Sequence, residues 1–92
     1  MLNDELYFLK FRELVAAQQG EISFSLLEKT KVMLKVTTVA DNDVRILVNE
    51  ILPEGNYLIP FFYNNLAPGD YIIKLFIQTE NLIDIFSKHI QL

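Results

Sequence analysis

From residue 20 onward, apolar and polar residues alternate with a period of two, and polar turn segments separate the alternating runs. This pattern predicts short half-buried β-strands, because successive side chains of a strand point to opposite faces of its sheet. The segment from Ile22 to Leu26, with a serine at each intervening position, shows it best. Strands are predicted over residues 22–26, 32–37, 44–52, 57–63, 71–79 and 82–92.

The segments between these strands are rich in residues that favour turns. Residues 40–43, Ala-Asp-Asn-Asp, predict a tight hairpin, because Asp and Asn side chains bond nearby backbone and tolerate a left-handed φ. A second turn is predicted at 53–56 and a longer loop at 64–70. Pro60 lies inside the strand predicted over 57–63. Since proline cannot donate to a ladder, that strand is expected at a sheet edge or with a bulge.

The first twenty residues are open to two interpretations. A cap at Asn3 or Asp4 and a stop at Gly20 would fit a helix. Against it, Leu9 and Phe11 alternate with basic residues, and aromatic residues favour strands. We therefore predict a strand over 6–12, followed by an irregular link, and keep the helix as the alternative.

Seven short strands without intervening helical segments predict an all-β fold, an antiparallel β-sandwich. With 92 residues the chain is expected to form one domain, residues 1–92. The alternation assigns one side of each strand to the core, and a register slip of one residue would turn every side chain to the other face. The predicted core residues are Phe24, Leu34, Val36, Phe61, Tyr71, Ile73 and Leu75.

Composition and charge exclude several classes of function. The chain has no cysteine, so disulfides and thiolate metal sites are excluded. A net charge of −4 argues against nucleic acid, because phosphate binding needs a cationic surface. No apolar run approaches the roughly 18 residues of a membrane-spanning helix. Asp4 and Glu5 are acidic where a secretory signal would be basic. We expect no nucleic-acid partner, no membrane insertion and a cytoplasmic location as synthesised, unless a larger exported assembly carries the chain out.

Residue types that carry chemistry are few and scattered. His89 is the only histidine, and a catalytic base would need an orienting acid and a nucleophile beside it. Asp41, Asn42 and Asp43 could offer oxygens to calcium, but their spacing fits no calcium loop, and Ca²⁺ takes about 6–8 oxygen ligands. A solvated turn is the favoured interpretation, with calcium left open. We predict a protein that is not an enzyme and has no cofactor or metal.

The loop at 66–71, Leu-Ala-Pro-Gly-Asp-Tyr, predicts a structural corner and not a ligand-binding loop. Pro68 fixes its own φ and Gly69 supplies a turn conformation. Leu66 and Tyr71 are expected to anchor the two ends of the corner in the core.

The spacing of these features resembles a known family. An opening strand pair at 22–26 and 31–36 is followed by Gly55, Phe61 and the Leu-x-x-Gly-x-Tyr corner at 66–71. In this order they are similar to the immunoglobulin-like C-terminal domain shared by type IX secretion cargo and the flagellar hook-capping protein. The resemblance covers residues 21–92, and it implies an immunoglobulin-like sandwich of seven strands.

The chain carries more apolar residues than one buried face per strand requires. In pairs such as Ile46-Leu47 or Phe61-Phe62, one member must point outward on any strand. A large exposed apolar patch marks an interface, whereas singly exposed apolar residues are ordinary. The terminal strand, 82–92, is the expected docking element, because an edge strand offers unpaired amides. The predicted interface residues are Ile46, Leu47, Phe62, Tyr63, Phe86, Ile90 and Leu92.

Three functions follow as expectations. The first is a structural or adaptor subunit that docks through apolar strand faces onto other protein subunits or onto itself. The hook-capping relative suggests an appendage, a filament or a phage-like contractile apparatus as its setting. The second is a type IX secretion sorting domain that directs export or surface attachment. The third is a carbohydrate-binding module, which would need exposed aromatics such as Tyr7, Tyr57 and Tyr63 and which the absence of Trp disfavours.

Overall fold

A computed structural model describes residues 9–14 and 19–92, and in those ranges the chain forms strands and no helix. The strands pair antiparallel into two sheets, so the predicted all-β sandwich architecture is confirmed. The seven strands are β1 (Leu9–Leu14), β2 (Gln19–Leu26), β3 (Thr30–Thr38), β4 (Asp43–Leu52), β5 (Gly55–Phe62), β6 (Asp70–Gln78) and β7 (Ile83–Gln91).

The two sheets differ in size. One sheet has three strands in the order β1-β2-β5, and the other has four in the order β4-β3-β6-β7. On one side β1 lies beside β7. On the other side, residues 53–54 connect β4 directly to β5. The core lies between the two sheets.

Buried positions alternate with half-buried or exposed ones throughout β2 and β6, and along β3 as far as Val36. These three strands have a neighbour on each side. Burying a large apolar side chain contributes roughly 1.5–3 kcal/mol, so these strands hold the sheets together without any disulfide. The seven residues predicted for the core are all buried: Phe24, Leu34, Val36, Phe61, Tyr71, Ile73 and Leu75.

β1 is a strand, so the helix alternative for the start of the chain is wrong where it covers residues 9–14. The predicted strand 6–12 began earlier, and residues 6–8 lie outside the described residues. Leu9 and Phe11 pair with Phe24 and Ile22 of β2 and pack against the core, which a helical spacing would not allow.

Gly20 has a packing role and does not stop a helix. It lies at the start of β2, and a Cβ added there would stand 2.2 Å from Cε1 of Phe11. The ring of Phe11 therefore lies directly over the Gly20 backbone. Because no other residue leaves that space free, the glycine allows an aromatic side chain of β1 to close this edge of the core.

β4 contains two bulges, which account for its run of consecutive apolar residues. Leu34 of β3 pairs with Val48, while the next residue, Lys35, pairs with Ile46. Leu47 is therefore an extra residue, and both Leu47 and Val48 pack against the core. A second register shift follows further along the same pair of strands. Bulges of this kind are typical of edge strands.

Two sequence predictions about local backbone are confirmed. Asp41 in the hairpin has a φ of 69°, the left-handed conformation that Asp tolerates. The backbone N–H of Thr38 donates to the carbonyl oxygen of Asn42 at 2.9 Å and closes the turn. Pro60 lies in β5, an edge strand of its sheet, where its missing N–H leaves no gap in a ladder.

The loop at 66–71 forms a corner with bonds at both ends. The hydroxyl of Tyr71 donates to the carbonyl oxygen of Ala67 at 2.6 Å, and Leu66 packs against the core. Gly69 has a φ of 150°, which L-residues rarely adopt. Its N–H donates to Leu92 O at 3.1 Å, and the N–H of Leu92 donates to Gly69 O at 2.9 Å. The corner therefore holds the end of the chain in place.

Tyr63 joins the end of β5 to β1. Its hydroxyl donates to the Glu13 carboxylate, and this hydrogen bond, together with burial and the charge of Glu13, raises the pKa of Tyr63 to about 12. The ordinary value is near 10, so an unfolded chain loses this proton first as the pH rises. The stabilisation from Tyr63 is therefore complete below about pH 10 and is lost on approach to about pH 12.

We expect the Tyr63→Phe variant to lose less stability than the wild type between pH 10 and pH 12, because it lacks the group that titrates in that window. The measurement is the urea midpoint of unfolding of both proteins at several pH values from 9 upward. Lysines also titrate in this range, but they change the midpoints of both proteins equally, so the difference between the midpoints reports Tyr63. Glu13→Gln should reduce the fall of the urea midpoint with pH in the same way, because it removes the carboxylate that raises the pKa of Tyr63. If the urea midpoints of wild type and Tyr63→Phe fall equally with pH, the raised pKa of Tyr63 does not contribute to stability.

Candidate docking face

The side of the four-stranded sheet that points away from the other sheet is here called the outer face. The strand register arranges its side chains in four rows, counted from the end where β6 stops. The first row is Ile51, Lys31, Gln78 and Ile83; the second is Asn49, Met33, Phe76 and Ile85; the third is Ile46, Lys35, Lys74 and Ser87; the fourth is Asp43, Thr37, Ile72 and His89.

The first three rows of the outer face expose isoleucines on both edge strands, β4 and β7. Ile83 is 75% exposed and Ile85 is 53% exposed, and Ile46 and Ile51 are also exposed. Covering such surface is worth roughly 25 cal/mol for each Å² of apolar area removed from water. Single exposed apolar residues are ordinary, whereas several on one face of a sheet are the kind of feature found at interfaces.

A groove runs through the centre of this surface. Its volume is about 320 Å³, and half-buried Met33 and Phe76 form its apolar floor. Ile83 closes one side, and the amides of Asn49 and Gln78 lie at its margin. A groove with an apolar floor and a few polar groups at its margin can receive side chains of a partner.

Two lysines of the third row form ion pairs on the outer face. The ammonium of Lys35 lies 5.4 Å from the centroid of the Phe76 ring and donates to Asp43 Oδ1 at 2.9 Å. Lys74, the next residue in the same row, pairs with Asp41. This hydrogen bond and the charge of Lys74 lower the pKa of the Asp41 carboxyl. The lysine stems cover part of the sheet, while their charged ends lie near water.

The hairpin at 39–42 stands above the fourth-row end of the outer face. Asp41 lies at the turn between β3 and β4, yet its carboxylate reaches Lys74 on β6, across β3. Thr37, a fourth-row residue, has no exposed surface. The outer face is therefore raised at its fourth-row end and open at its first-row end.

Of the interface residues predicted on β4 and β5, two are exposed, on different sheets. Ile46 lies on the outer face, whereas Phe62, 54% exposed, points outward from the three-stranded sheet. Leu47 packs against the core because of the β4 bulge. Tyr63 is buried beside Phe61, its ring edge-on at 5.9 Å between centroids. The exposure predicted for Leu47 and Tyr63 is wrong.

On β7 the prediction selected the wrong side of the strand. Ile90 is buried, and Phe86 and Leu92 are half-buried and pack against the core. Ile83 and Ile85, which the sequence interpretation did not select, are the outward residues. The physical reason is the period of two: both sides of this strand are apolar, so the sequence pattern does not distinguish them.

The candidate chemical residues are engaged in surface pairs. Nε2 of His89 lies 3.1 Å from Oδ1 of Asp70, and both side chains are largely exposed. The carboxylates of Asp41 and Asp43 each pair with a lysine. Within residues 9–14 and 19–92, no three His, Cys, Asp or Glu side chains are grouped so as to hold a metal ion. The same part of the chain contains no helix long and apolar enough to cross a membrane.

The tyrosines considered for carbohydrate binding do not form an exposed platform. Tyr57 is stacked on Phe24, with ring centroids 5.3 Å apart, and donates its hydroxyl to Pro53 O. Tyr63 is buried, and Tyr7 lies outside the described residues. Among the residues that the structure describes, four of the exposed large apolar side chains lie on the outer face: Ile46, Ile51, Ile83 and Ile85.

Comparison with known proteins gives a fold relationship only. No protein-family profile matches the chain, and no curated protein matches it. Two solved structures are similar, both of a β-glucuronidase from Parabacteroides merdae, one of them with glycerol in its active site. Each has a TM-score of 0.59 and 19% sequence identity, over 95% of this chain and 13% of the glucuronidase chain. The protein therefore spans a small part of that enzyme's length, and the likeness is one of sandwich architecture.

Proposed function

We propose that this protein is a non-enzymatic structural or adaptor subunit that docks into a larger protein assembly through the outer face of its four-stranded sheet. The observation that supports the proposal is the group of exposed isoleucines in the first three rows, around the groove over Met33 and Phe76. Aliphatic side chains contribute little to catalysis but much to association when a partner removes them from water.

Features of the sheet edges favour docking by the face over addition of a strand. β5 contains Pro60 and β4 contains two bulges. On β7, Asp84 and Lys88 pair with Ile77 and Ile73 and so carry charge onto the inward side of an edge strand. Proline, bulges and inward charges are devices that discourage a further strand from pairing. This proposal therefore differs from the sequence expectation that β7 docks by extending the sheet.

We also propose that the sandwich is immunoglobulin-like. The supporting feature is the hydroxyl of Tyr71, which bonds the carbonyl of Ala67 four residues upstream at the start of β6. A tyrosine bonded in this way at a strand corner is a hallmark of immunoglobulin-type sandwiches. The proposed kinship with the type IX sorting and hook-capping domains depends on the same segment, Leu-x-x-Gly-x-Tyr at 66–71.

A sorting domain for type IX secretion is the second candidate function. It is favoured by the position of β7 at a sheet edge, where an export machine could reach it. Fusing an unrelated secreted protein to this chain distinguishes the two functions. A sorting domain would carry an unrelated secreted protein through the type IX system, whereas a docking subunit would leave it behind.

The docking proposal predicts different behaviour for two matched variants. Ile85→Lys changes the outer face, and Leu58→Lys changes a side chain of similar exposure, 53% against 59%, on the opposite sheet. We expect Ile85→Lys to release the protein from its native assembly, so that it elutes at the size of the free 10.7 kDa chain. Leu58→Lys should remain in the assembly, because that face is not used. Size-exclusion chromatography of cell extracts, with detection of the tagged chain, is the measurement.

Salt separates apolar docking from electrostatic capture in the same experiment. The assembly should survive ~1 M salt, where the Debye length is about 3 Å. Release of the wild-type chain by salt, or equal behaviour of Ile85→Lys and Leu58→Lys, would contradict docking through the outer face.

A further inference from the structure

Building on the proposed function, we infer that the partner protein inserts a large apolar side chain into the central groove of the outer face and supplies a carboxylate to Lys31 at its margin. The partner segment is therefore a short stretch in which an apolar residue and an Asp or Glu are neighbours. Three features of the groove support this inference: its apolar floor, its lysines, and the isoleucines on either side of Lys31.

The floor of the groove selects an apolar side chain. Met33 and Phe76 are register partners on β3 and β6, and both are half-buried. The groove volume of about 320 Å³ is at the small end of the range for ligand pockets, roughly 300–1,000 Å³. It therefore suits one or two side chains of a partner. A methionine thioether adapts its shape to an aromatic or an aliphatic group placed against it.

The charges around the groove are not balanced. Lys31 and Lys35 flank Met33 on β3, and the described residues that line the groove include these lysines and no Asp or Glu. Lys35 is neutralised by Asp43, whose Oδ1 lies 2.9 Å from the ammonium. Lys31 forms no ion pair with any residue that the structure describes. One uncompensated positive charge therefore lies at the margin of an apolar groove.

The place of Lys31 in its row means that docking must bury this charge. The order across the sheet is Ile51, Lys31, Gln78 and Ile83, so a partner that covers both isoleucines also removes Lys31 from water. Burying an unpaired ammonium is costly, whereas a carboxylate beside it offsets much of that cost. The amide of Gln78 can donate to the same carboxylate.

The nearby carboxylates of the chain itself lie elsewhere. Glu28 and Glu80 line a second groove, of about 610 Å³, which shares Lys31 and Gln78 with the central one. Both glutamates are exposed, in the turns that precede β3 and β7, and neither lines the central groove. The carboxylate that neutralises Lys31 on docking is therefore assigned to the partner.

Zero-length crosslinking of the native assembly tests the contact. A carbodiimide activates a carboxylate, and attack by a lysine amine then forms an amide bond and releases the carbodiimide as its urea. We expect peptide mass spectrometry to find Lys31 joined to an Asp or Glu of another protein. A large apolar residue should lie within about two residues of that Asp or Glu, because Met33 is about 7 Å from Lys31 along β3, the span of two extended residues. If Lys31 is linked only to carboxylates of this chain, from the same or a second copy, or to none, the inference is wrong.

Removal of the charge gives an independent test. Lys31→Gln is compared with Lys29→Gln, because Lys29 is also exposed but lines only the second groove. In diluted cell extracts resolved by size-exclusion chromatography, Lys31→Gln should need about tenfold more protein than the wild type to stay assembled, and Lys29→Gln no more. The difference between Lys31→Gln and the wild type should shrink toward ~1 M salt, where the Debye length is about 3 Å. Equal behaviour of the two variants would overturn the inference.

An exchange of charges separates a contact from a folding defect. Lys31→Glu should leave the assembly, because two carboxylates would then face each other. Changing the crosslinked Asp or Glu of the partner to lysine should restore the binding of Lys31→Glu. A change in another protein cannot repair a folding defect in this one, and circular dichroism of Lys31→Glu establishes that it is folded. Absence of restoration would contradict the inferred pair.

The two proposals can fail separately. If Ile85→Lys leaves the native assembly while Lys31→Gln and Lys31→Glu remain in it, the docking function stands and the inferred carboxylate contact is wrong. If Ile85→Lys also remains in the assembly, the outer face is not used and both proposals are wrong. Restoration of Lys31→Glu by a lysine in the partner supports both.

Discussion

Phe61→Ala is expected to lower the free energy of unfolding by about 3–5 kcal/mol, the usual loss when a buried phenylalanine is truncated. Phe62→Ala, one residue further along β5, should change it by about 0.5 kcal/mol or less. Phe61 has no exposed surface, whereas Phe62 is 54% exposed. For a domain whose total stability is roughly 5–15 kcal/mol, the first loss is large enough to unfold a substantial share of the protein.

Phe61 is costly to remove because it joins the two sheets. Its ring is in edge contact with Tyr63, and its backbone pairs with Gly20 of β2. The guanidinium of Arg45, from β4 of the other sheet, is centred 5.3 Å from the ring. Arg45 also donates to Phe62 O and, at 3.3 Å, to Asn65 Oδ1. Alanine would leave a cavity and would remove the ring beneath a cation.

Urea titration monitored by circular dichroism checks this prediction, with both variants measured beside the wild type. The slope of each transition shows whether a variant still unfolds in two states. Equal losses for Phe61→Ala and Phe62→Ala, or a larger loss for the second, would mean that β5 is shifted by one residue from the register described here.

Gly69→Val is expected to cost about 1–3 kcal/mol of stability, the range for a residue forced into a sparsely populated backbone conformation. Its φ of 150° is rarely adopted by L-residues, and a β-branched side chain is least tolerant of it. A Cβ built at Gly69 meets no atom within 4 Å, so steric overlap does not contribute. The two hydrogen bonds between Gly69 and Leu92 would weaken if the backbone relaxed to a negative φ.

Ala67→Val is the matched control, because it adds the same side chain to an exposed residue of the same loop whose φ is not positive. It should stay within about 0.5 kcal/mol of the wild type. Thermal unfolding of both variants gives the comparison. The folded fraction of Gly69→Val should bind its partner as the wild type does. A variant with unchanged stability and lost binding would show that the corner is a binding loop.

The sequence alone determined the strands whose two faces differ in polarity. In β2 the inward residues Ile22 and Phe24 alternate with Ser23 and Ser25, so one face only could be buried, and the prediction was correct. Local backbone chemistry was equally predictable. The hairpin at 40–43 and the edge position of Pro60 follow from what Asp and Pro can adopt, whatever the rest of the chain does.

The tertiary structure decided which face is buried where both faces are apolar. On β7, Phe86 and Ile90 alternate with the equally apolar positions Ile83 and Ile85, and only pairing with β6 directs the first two inward. On β4, a bulge turns Leu47 toward the core beside Val48, which no regular period could indicate. The hydrophobic effect has no direction of its own. The choice of side therefore depends on register, and register is set by contacts between strands that are distant in the sequence.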